Sequence, residues 1–165
     1  MPYKFGDFAK ETLEQLSGRG AFLTVGTDNP NTMTIGWGSL SVYWGKDIFI
    51  VPVRESRYSY GIIDKTEEFT VSVPLNGSKN DALAICGSKS GRDIDKYQAA
   101  GLTLAKGKEV KVPVVADCDI YYECKILYKT DILKEGLPEE IIDKAYPKGD
   151  FHRLYFGEIV ACYTK

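Results

Sequence analysis

Alternation of apolar and polar residues predicts that most of this chain folds as β-strands. The clearest alternating run is Glu68–Val73 (EFTVSV), and residues 117–128 and 151–163 form longer runs rich in aromatic and β-branched residues. Shorter runs predict five more strands, at residues 21–27, 32–35, 40–44, 47–53 and 110–115. Short turns join most of these strands, which favours antiparallel pairing. We therefore expect a mainly β fold, an antiparallel barrel with a few inserted helices.

Helical patterns interrupt the strands at four places. Residues 7–16 are expected to form a helix with Asp7 as its N-cap, and residues 57–64 a helix with Ser56 as its N-cap. Further helices are expected at residues 80–86 and 139–145, the latter inside a surface insertion over residues 134–149. Near the end of the chain, Gly157 is expected to mark a bend or bulge in the last strand.

Length and charge limit the classes of function. A chain of 165 residues favours a single domain over residues 1–165, and a formal net charge of −2 gives no reason to expect nucleic acid or a membrane surface as partner. The chain contains no apolar run of the roughly 20 residues that span a bilayer, and its start lacks a signal-peptide pattern. A cytoplasmic protein is therefore expected.

The four cysteines form no C-x-x-C pair, and the chain has one histidine, His152. No metal site is expected from these residues, and the cysteines are interpreted as reduced and buried. Because Cys118 and Cys124 are six residues apart in an alternating segment, both are expected on one face of one strand.

The segment VPVRESRYS, residues 51–59, combines the end of a buried strand with the start of a helix. A helix start leaves backbone N–H groups without partners, and Arg54 and Arg57 add positive charge beside it. The hydroxyl groups of Ser56, Tyr58 and Ser59 add donors. This combination suits a phosphate monoester, and the alternative is a solvated helix start with two surface arginines.

Four groups of residues, taken in chain order, resemble the flavin reductase-like family with an FMN-binding split barrel, and most closely its flavoredoxin branch. The groups are Asn31-Thr32-Met33-Thr34 with Trp37, Arg54-Glu55-Ser56-Arg57-Tyr58-Ser59, Ser90-Gly91-Arg92-Asp93-Ile94-Asp95-Lys96, and His152 five residues before Gly157-Glu158. The resemblance implies a Greek-key antiparallel split β-barrel that forms homodimers, with FMN near the subunit contact.

The resemblance also implies roles for individual residues. Residues implied to line the isoalloxazine ring are Asn31, Thr32, Met33, Thr34 and Trp37. Residues implied to hold the phosphate and ribityl chain are Arg54, Ser56, Arg57, Tyr58 and Ser59. Residues implied to reach the same pocket are Lys96 and the loop of residues 88–91, with Ser88, Ser90 and Gly91 as named site residues. His152 is implied to lie near the exposed flavin face, where nicotinamide would dock.

Each of three residues also has a structural interpretation. Trp37 would be a core or interface aromatic, His152 an interface histidine bonded to a carbonyl, and Lys96 a solvated helix residue.

The functional hypothesis is an FMN-dependent oxidoreductase that receives electrons from NAD(P)H or from a redox partner protein. The alternatives are a non-catalytic flavin-binding or storage module and a barrel for another apolar ligand. Since no Rossmann glycine fingerprint is present, a pyridine nucleotide would bind by stacking.

Overall fold

A seven-stranded antiparallel sheet forms the centre of the computed structural model, which describes residues 5–165. The strands are β1 (Ala21–Val25), β2 (Asn31–Ile35), β3 (Ser39–Tyr43), β4 (Lys46–Arg54), β5 (Glu68–Val73), β6 (Leu104–Ala105), β7 (Val114–Val115), β8 (Ile120–Asp131) and β9 (His152–Thr164). The order across the sheet is β2-β1-β5-β8-β9-β4-β3, and β6 pairs with β7 in a separate ribbon. The prediction of a mainly β, antiparallel fold with a few helices is confirmed.

Helices occupy the connections between strands. They are α1 (Ala9–Gly18), α2 (Tyr58–Ile63), α3 (Asn80–Ser88), α4 (Lys96–Ala100) and α5 (Glu139–Ala145), with 3₁₀ turns at Phe5–Asp7 and Lys134–Gly136. The helix predicted at residues 139–145 is confirmed. No helix in the described part of the chain is long and apolar enough to cross a membrane.

Strand β1 separates two parts of the core because it is buried on both faces. Leu23 and Val25 pack into the interior of the curved sheet, whereas Phe22 packs with Leu83 and Cys86 of α3 on the outer side. This two-sided burial explains why the sequence of β1 is an almost continuous run of apolar residues. It also places α3 beside β2, at the sheet edge where the candidate site lies.

Gly157 allows β8 and β9 to pack closely over the core. A Cβ atom at this position would lie 2.6 Å from the ring of Phe69. The pairing of β8 with β9 shifts between Ile126 and Tyr128, so the extra residue of the bulge is Leu127 on β8, opposite Gly157. The expected irregularity is present, with the additional residue on the neighbouring strand.

The two predicted helix caps are wrong. Asp7 lies in the 3₁₀ turn that precedes α1, and α1 begins after Phe8 without a side-chain cap. Helix α2 begins after Arg57, again without a side-chain cap. Ser56 bonds elsewhere: its hydroxyl donates to Asp150 over 2.6 Å. The Asp150 carboxylate, which is distant in the sequence, thus accepts the hydroxyl proton of Ser56, and the predicted capping hydrogen bond does not form.

The strand predicted at residues 110–115 is shorter than expected, since only Val114–Val115 pair in a ladder. Glu123 accepts the backbone N–H groups of Lys108, Glu109 and Val110, and this side chain therefore replaces a strand partner. Pro113 has no N–H to donate.

The prediction that Cys118 and Cys124 share a strand face is also wrong. Strand β8 starts at Ile120, after Cys118. Cys118 packs in the cluster beneath α3, whereas Cys124 packs inside the sheet.

Candidate functional site

Two adjoining pockets form a groove along β2, the end of β4 and the loop after α3. The first, here called the aromatic pocket, holds about 190 Å³ and is lined by Met33, Thr34, Ile35, Gly36, Trp37, Pro52, Arg54, Arg57 and His152. The second, here called the polar pocket, holds about 160 Å³ and is lined by Asn31, Met33, Ser56, Arg57, Tyr58, Ser59, Gly87, Ser88, Lys89, Ser90, Arg92 and Lys96. Met33 and Arg57 line both pockets. The groove therefore brings together most of the residues that the sequence predicts for a flavin site.

Four cationic side chains give the polar pocket a strong positive charge: Arg57, Lys89, Arg92 and Lys96. Arg57 sits in the middle, where its guanidinium donates to the carbonyls of Gly87 (3.3 Å) and Cys86 (3.4 Å). Burial, together with the nearby charge of Arg54, lowers the pKa of Arg57, and Asp150 opposes this shift. Arginine still remains charged, so the pocket keeps a fixed cation at its centre.

Lys96 is a buried cation, only 3% exposed, at the first position of α4. Asp95 caps this helix by accepting the N–H groups of Tyr97 and Gln98. The Lys96 ammonium donates to the carbonyls of Thr32 (2.9 Å) and Cys86 (3.1 Å), and burial lowers its pKa. Two of its three N–H groups are thus used, and the third donates no hydrogen bond to the described part of the chain. The interpretation of Lys96 as a solvated helix residue is wrong.

Gly91 packs closely against β2 and α2 but does not itself line the polar pocket. A Cβ atom at this position would overlap the carboxamide oxygen of Asn31 and lie 2.9 Å from the ring of Tyr58. The Asn31 carboxamide donates to the hydroxyl of Ser59 over 2.8 Å. Ser59 can therefore donate its own proton to a ligand, because its oxygen already accepts one hydrogen bond.

Arg92 links the same loop to the turn between β4 and α2. Its guanidinium lies 5.3 Å from the centre of the Tyr58 ring and donates to the Ser56 carbonyl over 3.2 Å. Its backbone N–H donates to the Ser90 hydroxyl over 3.1 Å. The loop after α3 is thus fixed to the turn between β4 and α2 by side chains that also line the pocket.

Ser56 and Arg54 differ from the other residues predicted to hold the phosphate. Both the backbone N–H and the hydroxyl of Ser56 donate to the carboxylate of Asp150, at 3.0 and 2.6 Å. Arg54 donates to the carbonyls of Ala145 and Asp150, each over 3.0 Å, and lines the aromatic pocket but not the polar pocket. The structure therefore does not bring Arg54 to the polar pocket, and it gives the donors of Ser56 an internal carboxylate partner.

The aromatic pocket is bounded by Trp37 and His152, whose ring centres lie 5.0 Å apart. Trp37 is 53% exposed, so it is not a core residue of this chain. Thr34 lines the pocket and donates its hydroxyl proton to the Leu83 carbonyl over 2.6 Å.

Thr32 faces away from the groove and lines neither pocket. It is fully buried, and its hydroxyl bonds those of Thr24 (2.8 Å) and Tyr97 (3.0 Å). Alternation alone does not explain this separation, because Thr34, two residues along β2, lines the aromatic pocket; the Thr32 hydroxyl is instead taken up by its two internal partners. Thr32 therefore supports the strand that carries the pocket residues.

His152 begins β9 and is 9% exposed. Its Nδ1 atom lies 2.7 Å from the hydroxyl of buried Tyr146. Burial lowers the pKa of His152 to about 4, Arg54 adds to this effect, and Asp150 opposes it. The imidazole is therefore neutral at pH 7, and its Nδ1 partner is a phenol rather than a carbonyl.

Several lining residues were missed by the sequence reading. They are Ile35, Gly36 and Pro52 in the aromatic pocket, and Gly87 and Arg92 in the polar pocket. Most adjoin predicted residues, so extending each motif by one or two positions would have included them. Tyr146, the partner of His152, lies in the 134–149 insertion, where no pattern singled it out.

The family model described as "Flavin reductase like domain" matches residues 16–165. The chain belongs to the flavin reductase-like family. An uncharacterized protein of Archaeoglobus fulgidus is 30% identical to it over 149 residues, which cover 90% of this chain and 73% of the relative. This membership supports a flavin-binding, oxidoreductase-type function.

Solved structures of flavin reductase-like proteins share the fold. An FMN-binding protein from Thermus thermophilus with bound 1-cyclohex-2-enone superposes with a TM-score of 0.67 at 25% identity, covering 87% of this chain and 68% of that one. A flavoredoxin from Methanosarcina acetivorans also gives a TM-score of 0.67, at 24% identity, covering 88% of this chain and 68% of that one. The prediction of a split barrel of this family is confirmed.

Proposed function

We propose that this protein is an FMN-dependent oxidoreductase that binds the cofactor along the whole groove. The observation that carries the proposal is the continuity of the two pockets, since Met33 and Arg57 belong to both. One end of the groove is cationic and rich in hydroxyl groups, and the other is bounded by aromatic rings. This polarity matches a molecule with a phosphate at one end and a flat ring at the other.

The residues present fit FMN in one orientation. The phosphate would lie in the polar pocket, where Arg57 and Lys96 supply charge and the hydroxyl groups of Ser59 and Ser90 supply donors. The ring would lie over Met33 towards Trp37 and His152. Since α2 has six residues, the side chains, rather than the helix dipole, would supply most of the attraction for the anion.

The bound flavin would supply the two-electron redox chemistry, and the protein would supply binding, orientation and tuning. Neutral His152 is suited to orient a ring at the open side of the pocket, rather than to give up a proton at pH 7. Arg54, Arg57 and Lys96 place positive charge around the groove. Positive charge stabilises a cofactor that becomes more negative when it is reduced.

The proposal also specifies which molecule supplies electrons to the flavin. We favour NADH or NADPH, because the aromatic pocket opens beside an exposed tryptophan on which a nicotinamide ring can stack. A flavoredoxin-type carrier, which exchanges electrons with a redox partner protein, is the second candidate. A non-catalytic flavin-binding or storage module remains the alternative from another class.

A homodimer is also part of the proposal. Strand β3, which begins two residues after Trp37, is an edge of the sheet, and its hairpin exposes Val42, Tyr43 and Trp44. Trp44 is 58% exposed and adopts a positive φ of 56°, which is unfavourable for a bulky residue. A second subunit that covers this exposed aromatic hairpin would remove it from water, and the hairpin is therefore the candidate subunit contact.

Absorbance and anaerobic reduction test this function in sequence. Purified protein supplied with FMN is expected to retain the flavin through gel filtration and to show the yellow flavin spectrum. Anaerobic NADH or NADPH is then expected to bleach the 450 nm band faster than it bleaches free FMN. Retention of flavin without acceleration by either nucleotide would favour the carrier or the storage module, and addition of a reduced redox protein separates these two.

A further inference from the structure

The serines that line the polar pocket differ in the direction of their hydrogen bonds. They are Ser56, Ser59, Ser88 and Ser90. A hydroxyl group has one proton to donate and an oxygen that accepts. A serine whose oxygen already accepts an internal hydrogen bond still has its proton for a ligand, whereas a serine that has donated its proton offers a ligand only lone pairs. The direction of each internal bond therefore decides which chemical group the serine recognises.

Ser59 and Ser90, here called the donor pair, keep their protons for a ligand. The Ser59 oxygen accepts from the carboxamide of Asn31 over 2.8 Å, and the Ser90 oxygen accepts from the backbone N–H of Arg92 over 3.1 Å. Neither hydroxyl donates a hydrogen bond within the described part of the chain. Since Ser59 is only 1% exposed, the occupant of the pocket is the natural acceptor for its proton. The donor pair suits a group that only accepts, such as phosphate.

Ser56 and Ser88, here called the acceptor pair, have already donated their protons. The Ser56 hydroxyl donates to the carboxylate of Asp150 over 2.6 Å, and the Ser88 hydroxyl donates to the carbonyl of Ala84, one turn earlier in α3, over 2.7 Å. A phosphate dianion has no proton to donate, so it makes no hydrogen bond with an oxygen of this kind. A hydroxyl group on the ligand does have a proton to donate.

We propose that the donor pair binds the phosphate of FMN and that the acceptor pair binds hydroxyl groups of its ribityl chain. Asp150 is the positioning residue that fixes Ser56 in the accepting role. Because the ribityl chain ends at the phosphate, one pocket can hold both groups. The inference rests on the proposed function, in which the phosphate of FMN lies in the polar pocket.

Asp150 is held firmly enough to control the Ser56 proton. One oxygen of its carboxylate accepts the backbone N–H of Ser56 over 3.0 Å, and the other accepts the hydroxyl proton. The backbone carbonyl of Asp150 accepts in turn from Arg54 over 3.0 Å. Its φ of 55° lies in the left-handed region, which Asp and Asn adopt more readily than most residues. Because a carboxylate can only accept, the Ser56 proton must point towards Asp150 and away from a ligand.

Two serines of the same turn provide a matched test. Fluorescence titration at pH 8, where the phosphate is a dianion, compares FMN with riboflavin, which has the ribityl chain but no phosphate. Ser59→Ala is expected to weaken FMN binding by about tenfold or more and riboflavin binding little, because it removes a donor to the phosphate. Ser56→Ala is expected to weaken both flavins by the same factor, about two- to tenfold. A loss confined to FMN in Ser56→Ala, or no loss for either flavin, would overturn the inference.

Asp150→Asn tests the positioning role. The amide keeps the shape of the side chain, but its NH₂ group can donate to the Ser56 oxygen and so release the Ser56 proton to the phosphate. The ratio of FMN to riboflavin affinity is therefore expected to rise. Loss of the Asp150 charge also raises this ratio, and that part persists when Ser56→Ala is added. The remainder, at least about threefold, is expected to disappear in the double variant.

The ratio distinguishes positioning from a structural effect, because general loosening of the turn would weaken both flavins alike. Asp143→Asn, which removes an exposed acid of α5 that lines neither pocket of the groove, is the control and should leave the ratio unchanged. Equal ratios in Asp150→Asn and in the double variant would overturn the role of Asp150.

The outcomes separate this inference from the proposed function. Flavin binding with a different pattern among the variants would overturn the inference and leave the function standing. Failure of the unmutated protein to bind either flavin would overturn the function. Inorganic phosphate then replaces the flavins in calorimetric titrations, where Ser59→Ala is expected to weaken binding and Ser56→Ala is not. No phosphate binding, or equal losses in the two variants, would overturn the inference as well.

Discussion

The hydroxyl of Tyr146 lies 2.7 Å from Nδ1 of His152, and this bond joins the segment after α5 to the wall of the aromatic pocket. Both side chains are buried. Tyr146 is held in turn by stacking on Phe151, at 4.6 Å between ring centres, and by the guanidinium of Arg54. Because a neutral imidazole carries one protonated nitrogen, the partner of Nδ1 influences both the tautomer and the ring orientation of His152.

Removing only this hydroxyl tests whether the bond orients His152. Tyr146→Phe keeps the ring, so we expect FMN affinity to change by less than about twofold. The rate of flavin reduction by the preferred nucleotide should fall by up to about tenfold, because orientation at the open side of the pocket is lost. Stopped-flow absorbance measures the rate. Since His152 is the only histidine, its NMR signals should also shift, whereas in exposed Tyr128→Phe neither readout should change.

The lowered pKa of His152 predicts a loss of stability in mild acid. The usual pKa of 6.5 applies to the unfolded chain, and burial lowers the pKa to about 4 in the folded protein. Between these values the unfolded state binds a proton that the folded state does not, so the free energy of unfolding falls as the pH falls. The loss from pH 7 to pH 4 should reach about 3 kcal/mol.

Urea denaturation at several pH values measures this slope. His152→Gln removes the only histidine, so the difference between the two proteins isolates its contribution. Burial acts to raise the pKa of Asp64, but hydrogen bonds from Arg153 and Lys129 outweigh it, and hydrogen bonds from Arg153 lower the pKa of Asp131. The stability that these carboxylates contribute is therefore lost in stronger acid, and equally in both proteins. Parallel stability curves between pH 7 and pH 5 would contradict the prediction.

Arg57→Ala should weaken FMN binding far more than riboflavin binding. Arg57 is the cation that lines both pockets of the groove, whereas Arg54 lines the aromatic pocket and not the polar pocket. A charge-assisted bond to phosphate is worth roughly 1.5–3 kcal/mol, so FMN affinity should fall by about ten- to a hundredfold. Fluorescence titration with both ligands gives the ratio, and exposed Arg19→Ala is the control. An equal loss for FMN and riboflavin would show that Arg57 does not meet the phosphate.

Much of the fold could be predicted from the sequence because strand patterns are local. Strand β5 matches its alternating run residue for residue, and α5 matches its helical pattern. Predictions failed where a distant side chain replaced a local bond. Glu123 takes the N–H groups of residues 108–110, and Asp150 takes the donors of Ser56, 94 positions away. Such partners cannot be read from a single segment.

The candidate site was predicted only in part, because local motifs contain some of its residues but not the contacts between distant segments. Asn31, Met33, Arg57 and Ser59 belong to short motifs, and the structure places them in one groove. Local sequence could not show that Arg54 turns towards the carbonyls of Ala145 and Asp150, or that Tyr146 meets His152. These contacts depend on how the 134–149 insertion packs against the barrel, and the insertion has no pattern that predicts its packing.

The final prediction concerns Glu123, a fully buried carboxylate that holds the loop before β7. Its oxygens accept three backbone N–H groups, from Lys108 (2.9 Å), Glu109 (2.8 Å) and Val110 (3.0 Å), and the hydroxyl proton of Tyr163. Burial acts to raise the pKa of Glu123, but these four hydrogen bonds outweigh it and hold the pKa below its usual value.

Glu123→Gln should therefore lower the free energy of unfolding by about 2–3 kcal/mol, because an amide has one acceptor oxygen and its NH₂ group would face backbone donors. Urea denaturation near pH 7 measures the loss. Exposed Glu109→Gln is the matched control, since Glu109 contributes only its backbone N–H to the loop, and it should stay within about 0.5 kcal/mol. FMN affinity should be unchanged in both variants, because Glu123 lines neither pocket of the groove. Equal stability of the two variants would show that the carboxylate charge does not hold this loop.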